Sequence, residues 1–309
     1  MLALLTILPL LAQEPAATPP PRPSPAADQS EKGSAMPGAA GLEVRWARRL
    51  SEAVEGAKRL RDGRILIFFV EPDCGQCKRM EALVAPSTSF YAFTRDKVPL
   101  YEDVSTAEGK DLALRLRVRG TPTWIVVTPE LLECGRQEGP TTQQGWVDAF
   151  IQVERGWASY RKVLADEAAD PSNPQLVFDV ARLTYQRGGG ALAEARFQRL
   201  ARDPKTPAAI KEQALGYLTS LEMDAGRFDE AVAHLDTLVA TAQDAVLRMR
   251  AELRRADVEI ARGRKDLATW RLKNFLKAHP GAPLAAEAQA LLDALQGKAP
   301  SVTPAAKER

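Results

Sequence analysis

Arg64-Ile65-Leu66-Ile67-Phe68-Phe69-Val70 runs through Glu71-Pro72-Asp73 into Cys74-Gly75-Gln76-Cys77: an unbroken stretch of β-formers ends directly on two cysteines one helical turn apart. A strand apolar at every position, not at alternate ones, is what burial on both faces demands. Pro72-Asp73 breaks the strand, and Lys78 to Val84 predicts a helix after the cysteines. Upstream, Trp46, Leu50, Ala53, Val54, Ala57 and Leu60 fall at helical spacing, predicting a helix over 44–61 closed by Asp62-Gly63. Downstream, a second strand is predicted over 98–103, a helix over 107–117 and a third strand over 124–127, entered through Gly120-Thr121-Pro122-Thr123. Leu132 to Arg136 reads as a short edge strand, and Gln143 opens a closing helix carrying Trp146, Phe150, Ile151 and Trp157. Strands alternating with helices predict an α/β sandwich with a mixed sheet over 42–160.

The whole chain has 309 residues, room for about two domains. It is 45% hydrophobic and 27% charged, a globular composition. Forty-two Lys and Arg against 40 Asp and Glu give a net charge of +2, which removes the electrostatic case for a nucleic-acid binder. Residues 1–12 contain the apolar run Leu2 to Ala12, too short for the roughly 20 residues that span a bilayer. Its length suits the apolar region of a secretory signal, although no Lys or Arg precedes it. The expectation is export to the periplasm or cell envelope, with a cytoplasmic location if the run is no signal. Membrane attachment would come only through an uncleaved N-terminus. Residues 13–41, rich in Pro, Ala and Ser, read as a flexible tether.

A strand feeding Cys-x-x-Cys at a helix start is an arrangement suited to redox chemistry. Unpaired N–H groups and the helix dipole would stabilise a thiolate on Cys74. Cys77, one turn on, could attack a mixed disulfide and release the substrate. Two other readings of the pair stand beside this one. It could be an inert structural bridge, or half of a zinc site, for which only Cys134, His234 and His279 are available as further Cys or His ligands. Cys134 itself reads as a small buried hydrophobe, with a third redox thiol or an intermolecular bridge as the lesser reading.

With these residues in view, 43–155 resembles the thioredoxin superfamily, in the branch of exported thiol–disulfide proteins whose pattern is a Trp-bearing helix, Gly-Arg-Ile-Leu-Ile-Phe-Phe and Cys-x-x-Cys-Lys-x-Met. The resemblance implies that Cys74 is the nucleophile and Cys77 the resolving thiol, with no cofactor beyond the redox-active disulfide. It also implies a cis-proline facing the pair, matched by Pro122, 45 residues after Cys77. Thr121 before it would present its backbone to an extended substrate strand. Two positions depart from the pattern. Asp73 stands where thioredoxins carry Trp, and a carboxylate there should oppose thiolate formation. Phe68, six residues before Cys74, replaces a buried acid that assists the resolving cysteine, leaving Glu71 or Glu102 as candidate substitutes.

From Asp170 the sequence turns rich in Ala, Leu and Arg and strand signals vanish. Gly190-Ala191-Leu192-Ala193-Glu194-Ala195, Gly226-Arg227-Phe228-Asp229-Glu230-Ala231 and Gly263-Arg264-Lys265-Asp266-Leu267-Ala268 recur at spacings of 36 and 37. Each follows one predicted helix and opens another, with Ala195, Ala231 and Ala268 as the small residues where paired helices cross. The region 170–296 resembles tetratricopeptide repeats, with a final helix over 284–295 as a cap and 297–309 as a disordered tail. Such stacks present a surface to a peptide or protein partner. His234 and His279, and the arginines at 45–49 and 248–262, are expected on solvated surface.

The leading functional expectation is therefore an exported thiol–disulfide oxidoreductase acting on protein thiols, its helical repeats recruiting a protein partner. The alternative is a non-catalytic interaction scaffold with a structural disulfide. A peroxide-reducing enzyme fits less well, because the Pro-rich, Thr- and Arg-supported loop of such enzymes is missing around Cys74.

Overall fold

The structure is a computed structural model that describes residues 36–37, 43–61 and 63–298. The apolar run at 1–12 lies outside the described residues, as do the tether at 13–41 except Met36–Pro37, and the tail beyond 298. Two short strands, β1 (Met36–Pro37) and β2 (Glu43–Val44), pair antiparallel. Then follow α1 (Leu50–Lys58), β3 (Arg64–Val70), α2 (Gly75–Val84), α3 (Thr88–Thr94), β4 (Lys97–Asp103), α4 (Ala107–Arg115), β5 (Thr123–Val127) and β6 (Glu133–Glu138). The main sheet has the order β4-β3-β5-β6, with β3 parallel to β4 and antiparallel to β5, and β5 antiparallel to β6. This is the expected α/β sandwich with a mixed sheet.

All seven residues of β3 are buried: the apolar run Ile65 to Val70, as its pattern requires, and Arg64 at its head. Leu66, Phe68 and Val70 face one core together with Cys77, Met80, Phe90, Trp124, Trp146 and Phe150. Ile65, Ile67 and Phe69 face the other, against Ala53, Ala57, Leu112 and Ala113. The first core is aromatic: Phe68 and its cross-strand partner Trp124 stack at 3.8 Å between centroids, and Trp146 meets Trp124 edge-on at 5.9 Å.

Three local readings need correction. The helix expected over 44–61 begins only at Leu50. Ala47 instead bridges to Leu100 and donates its N–H to Pro99 at 2.8 Å, so the extended segment borders β4 and drops Trp46 onto Phe90 and Trp124. The helix α3 was not foreseen, although Ser87 caps it by accepting from the Phe90 N–H at 3.1 Å. The edge strand runs over Glu133–Glu138, shifted towards the C-terminus, with Cys134 buried in it.

The helix α5 (Gln143–Ala169) is a single rod of 27 residues. Trp146, Phe150 and Val153 pack into the aromatic core, while Tyr160 donates to or accepts from Thr184 at 2.8 Å and Glu167 pairs with Arg196 at 2.9 Å. The interval between 160 and 170 is thus continuous helix, and the two regions share it. Beyond it stand α6 (Pro174–Gln186), α7 (Gly190–Arg202), α8 (Ala208–Asp224), α9 (Phe228–Thr241), α10 (Ala245–Ala261), α11 (Lys265–Ala278) and α12 (Ala285–Leu295), each packed on the next.

The recurrence in this region holds, but its first register moves by two. The turn glycines with left-handed backbone are Gly188, Gly226 and Gly263, with φ of +82°, +71° and +75°. Gly190, aligned with them in the sequence reading, already lies in α7. The matching shift makes Ala193, not the exposed Ala195, the fully buried counterpart of Ala231 and Ala268. Three consecutive glycines at 188–190 hide which one bends the chain; only the φ values separate them.

His234 and His279 are also not simple surface residues. Each is about three-quarters buried and bonded to a glutamate, His234 to Glu222 at 2.9 Å and His279 to Glu252 at 2.8 Å. Among the arginines expected to be solvated, Arg255 pairs with Asp236, and Arg262, mostly buried, pairs with Asp229 and lies over the Phe228 ring.

Candidate functional site

The end of β3 delivers the chain through Glu71-Pro72-Asp73 to Cys74, which is the N-cap of α2. Cys74 and Cys77 are joined as a disulfide with Cα atoms 5.2 Å apart. Cys74 Sγ accepts from the Cys77 N–H at 3.0 Å, so the sulfur sits on one of the otherwise unpaired donors of the first turn. The backbone of the turn is closed by Cys74 N–H to Glu71 O and Lys78 N–H to Cys74 O, both at 3.2 Å. The two sulfurs are not equivalent. Cys74 is half-buried among the exposed Glu71, Pro72, Asp73, Gly75 and Gln76, whereas Cys77 is 2% exposed and part of the aromatic core.

The Thr121–Pro122 bond is cis. Pro122 is buried immediately before β5, and its carbonyl accepts from the Gly139 N–H at 2.8 Å. Thr121 is half-buried, and Thr123 Oγ1 closes the turn onto Gly120 O at 2.7 Å. The register Phe69↔Thr123 puts the start of β5 beside the end of β3, so the cis-proline turn and the disulfide follow from the same end of the two central strands.

The position six residues before Cys74 is filled by the stacked, fully buried Phe68. Neither substitute acid proposed for it stands well. Glu71 is exposed in the turn. Glu102 pairs in register with Phe69, on the sheet face opposite Cys77, where burial foremost and then Glu108 and Asp103 push its carboxyl up. The acid that sequence reading passed over is Glu81. It lies four residues after Cys77 on α2, where side chains share a helix face with Cβ atoms about 5–6 Å apart. Burial pushes its carboxyl above the usual range. Tyr101, edge-on to Phe68 at 5.9 Å, has its phenol pushed up by burial first and then by Glu81 and Asp103. The spacing i, i+4 from Cys77 was the available signal.

Among the described residues no group of three or more His, Cys, Asp or Glu is arranged to hold a metal ion, and no helix is long and apolar enough to cross a membrane. Cys134 is buried on β6 and takes no part in the disulfide.

No family model matches the chain, and no curated protein does. Among solved structures, a thioredoxin from Thermus thermophilus, determined in solution, matches at 27% identity over 36% of this chain and 88% of its own, with a TM-score of 0.32.

Proposed function

We propose that the chain is a thiol–disulfide oxidoreductase acting on protein thiols, with Cys74 as nucleophile and Cys77 as resolving thiol. The observation that carries this reading is the asymmetry of the pair: one sulfur half-exposed on a helix N-terminus, the other buried one turn below. In the reducing direction the Cys74 thiolate attacks a substrate disulfide, forming a mixed disulfide and expelling one substrate thiolate. Cys77, losing its proton, attacks Cys74 Sγ, expels the second thiolate and closes the Cys74–Cys77 bond, so two electrons pass to the substrate. In the oxidising direction the same bonds form and break in reverse. Thr121 and Pro122 are the backbone edge for an extended substrate segment. Glu81 is the carboxyl that accepts the Cys77 proton in place of the acid that Phe68 displaces.

The helical region is read as tetratricopeptide-like and as the part that recruits a protein or peptide partner. The apolar run at 2–12 supports export to the periplasm or cell envelope. A second reading, a structural bridge in an interaction scaffold, draws on the exposed Asp73 beside Cys74 and on the fully packed Phe68, neither of which favours rapid exchange.

Equilibration of the pair against thiol buffers, with Cys134→Ser to prevent side pairing, decides between them. A potential between about −270 and −120 mV is expected for a working oxidoreductase, and one below about −300 mV would mark a structural bridge. Cys77→Ser should accumulate a mixed disulfide with reducible insulin, and Cys74→Ser should form none. With both cysteines in place, Glu81→Gln should slow resolution of the mixed disulfide by Cys77, at the low end of the roughly 10²–10⁴-fold that positioned acid–base groups supply. Equal rates for Glu81→Gln and the natural protein would remove Glu81 from the mechanism.

A further inference from the structure

A pocket of about 310 Å³ opens at the seam between the sandwich and the stack, at the small end of the range for ligand sites. Its walls are the end of α4, the turn from β5 into β6, and the turn after α6. Four arginines line it, Arg115, Arg117, Arg136 and Arg187, against two glutamates, Glu130 and Glu133. Glu133 is spent on Arg136, which donates to it through Nε at 2.8 Å and to Glu138 through Nη1 at 3.0 Å. Glu130 is exposed and also acts on Lys58 of α1, whose ammonium is held up by Glu55 first and then by Glu130. Arg115 has only the exposed Asp111, at 3.7 Å. Arg187 lies over the Tyr160 ring and donates to Gly156 O at 3.1 Å. Neither Arg117 nor Arg187 meets a carboxylate among the described residues, so positive charge is in excess. The carbonyls at the two helix ends would oppose an anion, but those nearest are occupied. Arg136 donates to Leu116 O at 2.7 Å and to Arg117 O at 3.2 Å, and the Glu133 N–H donates to Arg187 O at 2.9 Å.

The backbone at Arg117 gives a second, independent observation. Five helices end in one and the same turn, an N–H bonded to the carbonyl five residues back: Val118 to Ala113, Gly189 to Thr184, Arg227 to Glu222, Arg264 to Glu259 and Lys298 to Asp293. The residue before each donor is left-handed. At four of the five ends it is glycine, Gly188, Gly226, Gly263 and Gly297; at the end of α4 it is Arg117, with φ of +54°. A residue with a Cβ is strained there and glycine is not. The exposed Arg117 side chain makes no hydrogen bond or ion pair among the described residues that offsets this cost. Leu131, at φ +64° the other left-handed non-glycine residue among the described residues, lines the same pocket. Backbone strain of this kind gathers where a ligand is held.

We infer that the seam pocket binds an oxyanion, a carboxylate or phosphate group, on the guanidiniums of Arg115 and Arg117. A guanidinium fork matches two oxygens of either group, and charge-assisted bonds of this kind are the strong ones. The volume suits a small anion of several oxygens and not a nucleotide or an extended peptide. Arg136, with its donors already engaged, holds the wall together, and Arg187 adds charge from the side of the stack. The site is separate from the dithiol and does not depend on it.

Calorimetric titration of the full chain at low ionic strength tests this, with inorganic phosphate, citrate and a blocked alanine-based hexapeptide bearing two central glutamates as probes. Citrate should bind, and its affinity should fall as salt is added. Arg117→Gly should weaken citrate by roughly tenfold or more. Because glycine suits the left-handed position, the same variant should melt, free of ligand, at the natural midpoint or above it, so lost binding is not lost fold. Arg250→Ala, an exposed arginine of α10 remote from the pocket, should leave the affinity unaltered. Absence of citrate binding, equal affinity in Arg117→Gly, or an equal loss in Arg250→Ala would each overturn the site. A lower midpoint for ligand-free Arg117→Gly would make that side chain a support of the fold and overturn its assignment as a ligand group. Phosphate or citrate binding more tightly than the glutamate peptide assigns the anion to a small molecule; the peptide binding more tightly, with the same dependence on Arg117, assigns it to an acidic side chain.

Discussion

The sandwich and the helical stack spend similar residues in opposite ways. In the sandwich, side chains from 46 to 150 converge on one aromatic cluster: Trp46, Phe68, Phe90, Trp124, Trp146 and Phe150 are linked ring to ring. In the stack, the same place in each layer is filled again by a similar residue, Ala193, Ala231 and Ala268, then Phe197, Leu235 and Leu272. A convergent core ties distant segments together, so damage anywhere is felt everywhere. A layered core contacts only its neighbours, so damage stays local. The candidate chemistry follows the same division. The sandwich concentrates it at one end of its two central strands, while the stack buries a carboxylate, Glu222 and then Glu259, at equivalent positions of successive layers.

The largest effect expected from this contrast is at Trp124. Trp124→Ala should cost about 3–5 kcal/mol and raise amide exchange across β3, β4, β5 and α5 together. Leu272→Ala, at a comparably buried place in the stack, should cost about 2–5 kcal/mol yet raise exchange only in α9 to α12. Loss of protection in β3 from Leu272→Ala would break the comparison. A smaller effect belongs to the helix the two regions share. Glu154 of α5 bonds Arg64 at 2.7 Å and meets Lys97 at 3.3 Å, two mostly buried cations paired in register at the starts of β3 and β4. Glu154→Gln removes the charge facing both, and because Glu154 is partly exposed the cost should be about 2 kcal/mol. Denaturant melts should show it. This cluster stands at the opposite end of β3 from Cys74, so mixed-disulfide formation per folded molecule should not change.

How much of this was legible in the sequence follows the same division. The sandwich announced itself because β3 is apolar without a break from Ile65 to Val70 and two cysteines follow it. Pro122 was placed by the resemblance read at Gly120-Thr121-Pro122-Thr123, with which its separation from Cys77 agrees. What failed there was decided by distant pairing: Trp46 sits on a helical periodicity, yet the backbone of Ala47 is claimed by Pro99 of another strand. Glu102 was a candidate acid that the sequence alone cannot place, and only the register with Phe69 shows that it faces away. In the stack the helices α6 to α12 were legible from local pattern, because runs rich in Ala and Leu are interrupted at Pro174, Gly188, Pro207, Gly226, Gly263 and Pro280. The register of its first turn was not, because Gly188, Gly189 and Gly190 are interchangeable until their dihedrals are known. Glu222 gave no signal either, for a lone glutamate on a helix reads as surface until its burial is seen.

The smallest expected effect sharpens the contrast most directly, because it places one substitution in like elements of the two regions. Gly216 lies inside α8, and a Cβ built there meets nothing within 4 Å. Gly216→Ala adds a good helix former without a clash and should stabilise by about 0.5–1 kcal/mol. Gly109 lies inside α4 of the sandwich, where a Cβ would fall 1.9 Å from the carbonyl oxygen of Asp103. That oxygen belongs to backbone at the end of β4, fixed by its ladder to β3, so it cannot yield as the far end of a side chain would. The same change, Gly109→Ala, should therefore lower the melting midpoint while Gly216→Ala raises it by about 2–4 °C for each kcal/mol. A gain at both positions would mean that the α4–β4 junction relaxes freely, and that the sandwich is less tightly coupled than its convergent core requires.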